Sequence, residues 1–329
     1  MVNTTMTDMP AILEQSLATL QTSWIPIILV PFAYLALSQI SKSVGLGGRS
    51  DKGKAAGSHA PDHSKFDTSN IRVAKILIHP IKSCKGTSVP EAKYTLEGLD
   101  NDRKWCVIRA DNNVVVTARD VAKMILINPR IIPDSSCSEG GRLEVSFPTE
   151  SGCEAFSVPL NPTEEALQDW QNLDISLWGK NDIEGYVCQT NIGRSPSEIL
   201  SEYMGLPVHL AMKGSRPRIC SPTERFPDLD APSYFQDGYP LMLMSEESVA
   251  AVQGLVRGMV GMQGIEERWS SENLQIERFR PNIIIKGAGA PFFEDILTEF
   301  TADSHRESVD KASPIIRLVS KCTRCMVRI

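Results

Sequence analysis

Residues 71–86 read Ile-Arg-Val-Ala-Lys-Ile-Leu-Ile-His-Pro-Ile-Lys-Ser-Cys-Lys-Gly. The first eight alternate over much of their length and are rich in β-branched side chains, which predicts a strand. The strand then runs into a turn carrying Lys82 and Ser83. Downstream, Trp105, Val107 and Arg109, then Val114, Val116 and Ala118, flank Asp111-Asn112-Asn113 and predict a hairpin. Further short strands are expected at Met124–Ile127, Leu143–Phe147, Ile183–Val187, Val208–Met212 and Pro281–Lys286. Three helices interrupt them. One opens after Asn161-Pro162-Thr163, one is capped by Ser195 with Pro196 behind it and Gly205 as its stop, and one is capped by Ser245. Strands outnumber helices without βαβ alternation, so the fold class is α+β, mainly β.

On the N-terminal side, Trp24–Ile40 (WIPIILVPFAYLALSQI) contains no charged residue. As a helix it spans about 25 Å, enough to cross a bilayer at the short end of the range. The positive charges Lys42, Arg49, Lys52 and Lys54 follow it, whereas only Asp8 and Glu14 precede it. A cleavable signal peptide has the opposite arrangement, so 24–40 reads as one transmembrane signal anchor behind a tail at 1–23. By the positive-inside rule the bulk of the chain faces the cytosol. Residues 41–70 are rich in Gly, Ser and Lys, the composition of a flexible linker.

The 329 residues are 42% hydrophobic and 22% charged, a globular composition. With 34 Lys and Arg against 40 Asp and Glu the net charge is −6, which argues against a non-specific nucleic-acid partner. Eight scattered cysteines in a chain of this length do not form a secreted disulfide framework, and a reducing compartment fits better. No dinucleotide fingerprint or P-loop is present.

Polar groups concentrate in four places. Lys82 and Ser83 offer an ammonium and a hydroxyl where the backbone turns, suited to a phosphate, though a solvated turn contains such residues as often. Arg103, in Asp102-Arg103-Lys104-Trp105, suits bidentate binding of an anion or a surface pair with Asp102. Arg278-Phe279-Arg280-Pro281-Asn282 precedes an apolar run and suggests recognition of an anion or heterocycle, or simply a basic strand end. The sharpest signal is Lys321-Cys322-Thr323-Arg324-Cys325. A lone C-x-x-C lacks two of the ligands that structural zinc needs, and this one follows a strand-like run rather than opening a helix as a redox pair does. A thiolate held among cations remains, and soft thiolates select soft or high-valent metals.

In this order the clusters resemble the MOSC proteins of the type with an N-terminal β-barrel domain, and among them the mitochondrial amidoxime-reducing components. The landmarks are HPIKSCKG, GLDNDRKW, VTARD at 116–120, DGYPLMLMSEESV, RFRPNI and CTRC. The resemblance implies a MOSC N-terminal β-barrel domain over 71–190 packed with a MOSC β-barrel domain over 191–329. It implies a molybdenum cofactor, the molybdenum–pterin group with its phosphate tail. Position by position, Cys325 is then the thiolate ligand of molybdenum and the catalytic position. Thr323 and Arg324 contact the cofactor beside it, and Lys82, Ser83, Arg103, Arg280 and Asn282 hold the pterin and phosphate. The implied activity is reduction of N-hydroxylated compounds with electrons from NADH through a flavin reductase and cytochrome b5. The implied location is the outer mitochondrial membrane rather than the endoplasmic reticulum. MOSC modules of cofactor sulfurases suggest an alternative role as a cofactor or sulfur carrier. Family members continue past this cysteine into closing strands, whereas this chain stops at Ile329, so the resemblance implies a C-terminally incomplete MOSC domain.

Overall fold

The computed structural model describes residues 68–190, 193–301 and 315–322. The apolar segment 24–40, most of the linker, and Thr323, Arg324 and Cys325 lie outside the described residues. The longer strands begin with β1 (Arg72–Ile78), β2 (Thr87–Val89), β3 (Trp105–Arg109), β4 (Asn128–Pro133), β5 (Gly141–Ser146) and β6 (Phe156–Pro159). They continue with β7 (Asn172–Leu177), β8 (Lys180–Val187), β9 (Val208–Lys213), β10 (Leu243–Ser245) and β11 (Ile283–Lys286). The helices are α1 (Glu164–Gln168), α2 (Pro196–Met204) and α3 (Glu246–Gly258). The described chain is thus mainly β with few helices.

Two four-stranded sheets and one three-stranded sheet carry most of these strands, in the orders β10-β11-β1-β2, β3-β9-β8-β7 and β4-β5-β6. The first joins distant parts of the chain: β1 pairs antiparallel with β11, Ile76 opposite Ile283, and β10 lies parallel to β11. This pairing brings the turn after β1 beside the residues preceding β11.

β3 explains why a run with no polar interruption is a strand here. Trp105 and Val107 enter one hydrophobic core, with Ile81, Leu143, Leu200 and Leu210. Cys106 and Ile108 enter a second, with Ile175, Ile183 and Phe235. The sheet β3-β9-β8-β7 therefore separates two cores, and a strand buried on both faces reads as continuously apolar. β5, by contrast, alternates buried Gly141, Leu143 and Val145 with more accessible neighbours, as a strand with one buried face should.

The helix caps follow the sequence. Ser195 accepts from the Glu198 amide while Glu198 accepts from the Ser195 amide, a capping box, with Pro196 in the first turn and Gly205 closing the helix at φ 73°. Thr163 and Ser245 cap α1 and α3. The second arm of the expected hairpin is reduced to isolated bridges, Val115 to Ile108 and Val114 to Ser176, and one further expected strand is not one. Residues Ala122–Leu126 form a 3₁₀ turn, and Met124 and Ile127 are fully buried while Ile125 and Leu126 are exposed. Three residues per turn place positions three apart on one face, so an apolar run too short to reveal its period packs as a turn instead.

Candidate functional site

Pro80 and Ile81 dock the turn after β1 against β3. Trp105 donates to the Pro80 carbonyl and Lys82 to the Trp105 carbonyl, at 3.1 and 2.9 Å. Ile81 and Cys84 are fully buried, which pins the turn on both sides of Lys82 and Ser83. Ser83 itself is half-buried and takes φ 67°. The Lys82 ammonium, only 5% exposed as a residue, donates to the Phe235 carbonyl at 2.7 Å and to Asp237 Oδ1 at 2.5 Å. Burial pushes its pKa down to about 8, Asp237 opposes that shift, and Arg103 and Arg218 add to it.

Arg103 is the centre of the cluster. Its Nη1 donates to Asp102 Oδ2 at 2.6 Å and to Asn282 Oδ1 at 3.1 Å, and its Nη2 to the Arg280 carbonyl at 2.9 Å. Asp102 is fully buried and accepts from the His79 amide at 2.8 Å. Burial alone would raise its carboxyl, but Arg103 and the bonds from His79 hold it below the ordinary range. The pair with Asp102 is therefore an interior one rather than the surface pair that adjacency suggested. His79 is buried beside it, and burial, reinforced by Arg103, drives its pKa down to about 3, so its ring is neutral at physiological pH.

Arg280 and Asn282 reach this cluster because β11 pairs with β1. Arg280, at φ 57°, donates through Nη1 to the Cys84 carbonyl. Asn282 is buried, accepts from Arg103 and from the Met242 amide, and donates to the Leu77 carbonyl at 3.2 Å. Its amide is thus engaged at both ends within the protein. Lys82, Ser83, Arg103, Arg280 and Asn282 come together although they span 201 positions of sequence (282 − 82 + 1). Thr323, Arg324 and Cys325 lie outside the described residues; Cys322 is described and exposed.

The sequence reading missed three contributors. Arg218 Nη1 donates to the Tyr234 and Gln236 carbonyls, both at 2.8 Å, and so shapes the loop that gives Lys82 its carbonyl partner. Asp237 opens the DGYPL landmark and pairs with Lys82. Trp178, in the loop between β7 and β8, has Lys82 Nζ 5.6 Å and Arg119 Cζ 5.4 Å from its ring centroid. An aromatic beside Gly179 was the available signal for the last.

The donor set fits an anionic group. Lys82, Arg103, Arg218 and Arg280 are buried or half-buried, Lys82 paired with Asp237 and Arg103 with Asp102. Arg103 and Arg218 add to the lowering of the Lys82 pKa, a mutual repulsion that a bound anion would relieve. Among the described residues no group of three or more His, Cys, Asp or Glu side chains is arranged to hold a metal. Burial raises the thiols of Cys84, Cys106 and Cys188, Cys84 to about 12, so none of these supplies a thiolate.

Residues 70–203 match the MOSC N-terminal beta barrel domain and residues 230–328 the MOSC domain. The chain is 28% identical over 266 residues to mitochondrial amidoxime-reducing component 1 of Xenopus laevis, covering 78% of this chain and 64% of that protein. It is 26% identical over 261 residues to mitochondrial amidoxime reducing component 2 of Homo sapiens, covering 78% of this chain and 65% of that one. A molybdenum cofactor sulfurase of Drosophila grimshawi is 27% identical over 223 residues, 68% of this chain and 24% of the sulfurase. The chain therefore spans less than two thirds of the length of these curated relatives.

Proposed function

The chain belongs to the MOSC proteins that carry both an N-terminal β-barrel domain and a MOSC domain, and from that premise we propose that it is a molybdenum-cofactor-binding oxidoreductase that reduces N-hydroxylated compounds such as amidoximes. The observation that carries the reading is the desolvated cation cluster of Lys82, Arg103 and Arg280, which suits the phosphate and pterin of the cofactor. In this reading Lys82, Ser83, Arg103 and Arg280 hold the anionic part of the group. Asn282 acts by fixing Arg103, since its own amide is engaged with the protein. Thr323 and Arg324, which precede Cys325, contact the cofactor beside it, and the Cys325 thiolate is the metal ligand. When bound, the cofactor supplies two-electron chemistry at molybdenum. The names of the amidoxime-reducing relatives support this chemistry over others.

The electrons come from cytochrome b5 and its NADH-dependent flavin reductase, and residues 24–40 anchor the chain in the outer mitochondrial membrane with its bulk toward the cytosol. Among the described residues no helix is long and apolar enough to cross a membrane, and 24–40 is not among them. The sulfurase relatives support a second reading, a cofactor or sulfur carrier, for which a persulfide on Cys322 or Cys325 would be diagnostic. The frog amidoxime-reducing component matches 78% of this chain and the fly sulfurase 68%, which supports the reductase as the first reading.

The test is the molybdenum and pterin content of the full chain purified in detergent. About one molybdenum per chain is expected, with loss of the metal in Cys325→Ala, followed by amidoxime reduction on adding the electron chain. A folded protein that retains neither molybdenum nor pterin overturns the reading.

A further inference from the structure

The loop joining β7 to β8 consists of Trp178 and Gly179, with Leu177 paired to Lys180 across it. Both loop residues take positive φ, 56° at Trp178 and 78° at Gly179, as a type I′ turn requires. Asn, Asp and Gly normally fill the first of these positions, because a large side chain there brings its Cβ against the backbone. A tryptophan at this place is a local cost, and burial does not offset it, since Trp178 is 52% exposed. Costs of this kind that persist without a packing gain are found where a side chain is needed for function.

The ring is held where the site begins. Lys82 and Arg119 stand over it from two other parts of the chain, at 5.6 and 5.4 Å. Lys82 is also a buried cation of the cluster, whereas Arg119 is an exposed residue of the VTARD landmark. Accessibility is therefore graded. Lys82, Arg103 and Asn282 are all under 10% exposed, suited to a resident group, and the indole lies at their rim, open to a molecule arriving from solution.

We infer that Trp178 is a specificity-determining residue of this site, a stacking surface for flat, conjugated substrates at the rim of the Lys82–Arg103–Arg280 cluster. Lys82 and Arg119 keep the indole in place, and an aromatic or conjugated N-hydroxylated compound gains contact area on it that a small aliphatic one does not. The assignment rests on the proposed reductase for the identity of the substrate class, but not for the existence of the stacking surface.

Trp178 is followed as the difference between native and W178F emission, because the other four tryptophans, Trp24, Trp105, Trp170 and Trp269, are common to both proteins. The full chain in detergent is titrated with benzamidoxime and with acetamidoxime, following indole emission in the native protein and heat of binding in W178F, W178A and W178N. Benzamidoxime is expected to perturb the native emission. Its affinity should fall roughly two- to tenfold in W178A and W178N and be largely kept in W178F, with acetamidoxime binding unchanged throughout. Asparagine suits the turn, so W178N should match or exceed the native Tm while binding benzamidoxime more weakly. Equal benzamidoxime affinity in native protein and W178N overturns the inference, as does a parallel loss for both ligands with a lowered Tm. Molybdenum measured on the same samples separates the two readings. Metal without Trp178-dependent binding sinks this inference alone, and Trp178-dependent binding without metal or pterin sinks the proposed cofactor role alone.

Discussion

Lys82 shows how one side chain can be both secured and poised. Its ammonium is satisfied by the Phe235 carbonyl and Asp237, yet burial brings its pKa to about 8. Relative to an ordinary lysine near 10.5, the folded state releases this proton more readily than the unfolded chain. The sign follows: this burial cost is fully present below pH 8 and is relieved as pH rises from about 8 to 10.5. Anion binding moves the other way, because the charge that attracts a phosphate is lost over the same range. Affinity of the full chain for the pterin phosphate should therefore drop as pH rises through about 8, by roughly the tenfold or more that a charge-assisted hydrogen bond contributes. Asp237 supports the charged form, so in Asp237→Asn the midpoint of that drop should move to lower pH. Equilibrium binding measured between pH 6.5 and 9.5 in both proteins checks this, and an unmoved midpoint would assign the titration to another group.

At the scale of elements, legibility tracks how local the cause is. β1 and α2 are written in contiguous residues: Ser195, Pro196, Glu198 and Gly205 in α2, and in β1 a β-branched apolar run whose burial rises toward the adjacent Leu77 and Ile78 instead of alternating. The 3₁₀ turn at Ala122–Leu126 is not, because its apolar run is too short to reveal a period and only the burial of Met124 and Ile127 decides it. The same division runs through the site. Lys82, Arg103 and Arg280 were visible as cations abutting apolar strands. The roles of Arg218, Asp237 and Trp178 come from packing between segments far apart in sequence, which no local pattern encodes. α2 gives a direct test of a local cause. Its buried Ile199, Leu200, Tyr203 and Met204 sit in the first core, and Ser201 Oγ accepts from the amide of Val208, the first residue of β9. Removing the cap in Ser195→Ala frees one amide at the first turn and should cost about 1 kcal/mol. Urea unfolding should show a lower midpoint with an unchanged slope, and a changed slope would mean that the cap also restrains a larger opening.

For the described part of the chain as a whole, Arg103 is a clip between its beginning and its end. Through Asp102 and His79 it holds the end of β1, and through Asn282 and the Arg280 carbonyl it holds the approach to β11, 179 positions away. The clip fixes a pH window. His79 is lowered from 6.5 to about 3, and Asp102 also lies below its ordinary value, so between these limits the unfolded chain binds more protons than the folded one. Stability contributed by the pair is present above pH 6.5 and is lost as pH falls toward 3. In Arg103→Leu the buried Asp102 loses its guanidinium partner, which should cost about 3–5 kcal/mol near neutral pH. The variant also removes a charge that lowers both groups, so His79 moves back up and Asp102, left more to the burial that raises it, moves up as well, and the proton difference between states shrinks. Its stability curve should therefore lie below the native one at pH 7 yet fall less steeply from pH 6.5 to 4. Urea midpoints across that range distinguish the cases: a uniformly lowered, parallel curve would mean that Arg103 acts through packing alone, and a converging pair would establish it as the charge that ties the two sequence ends of the site together.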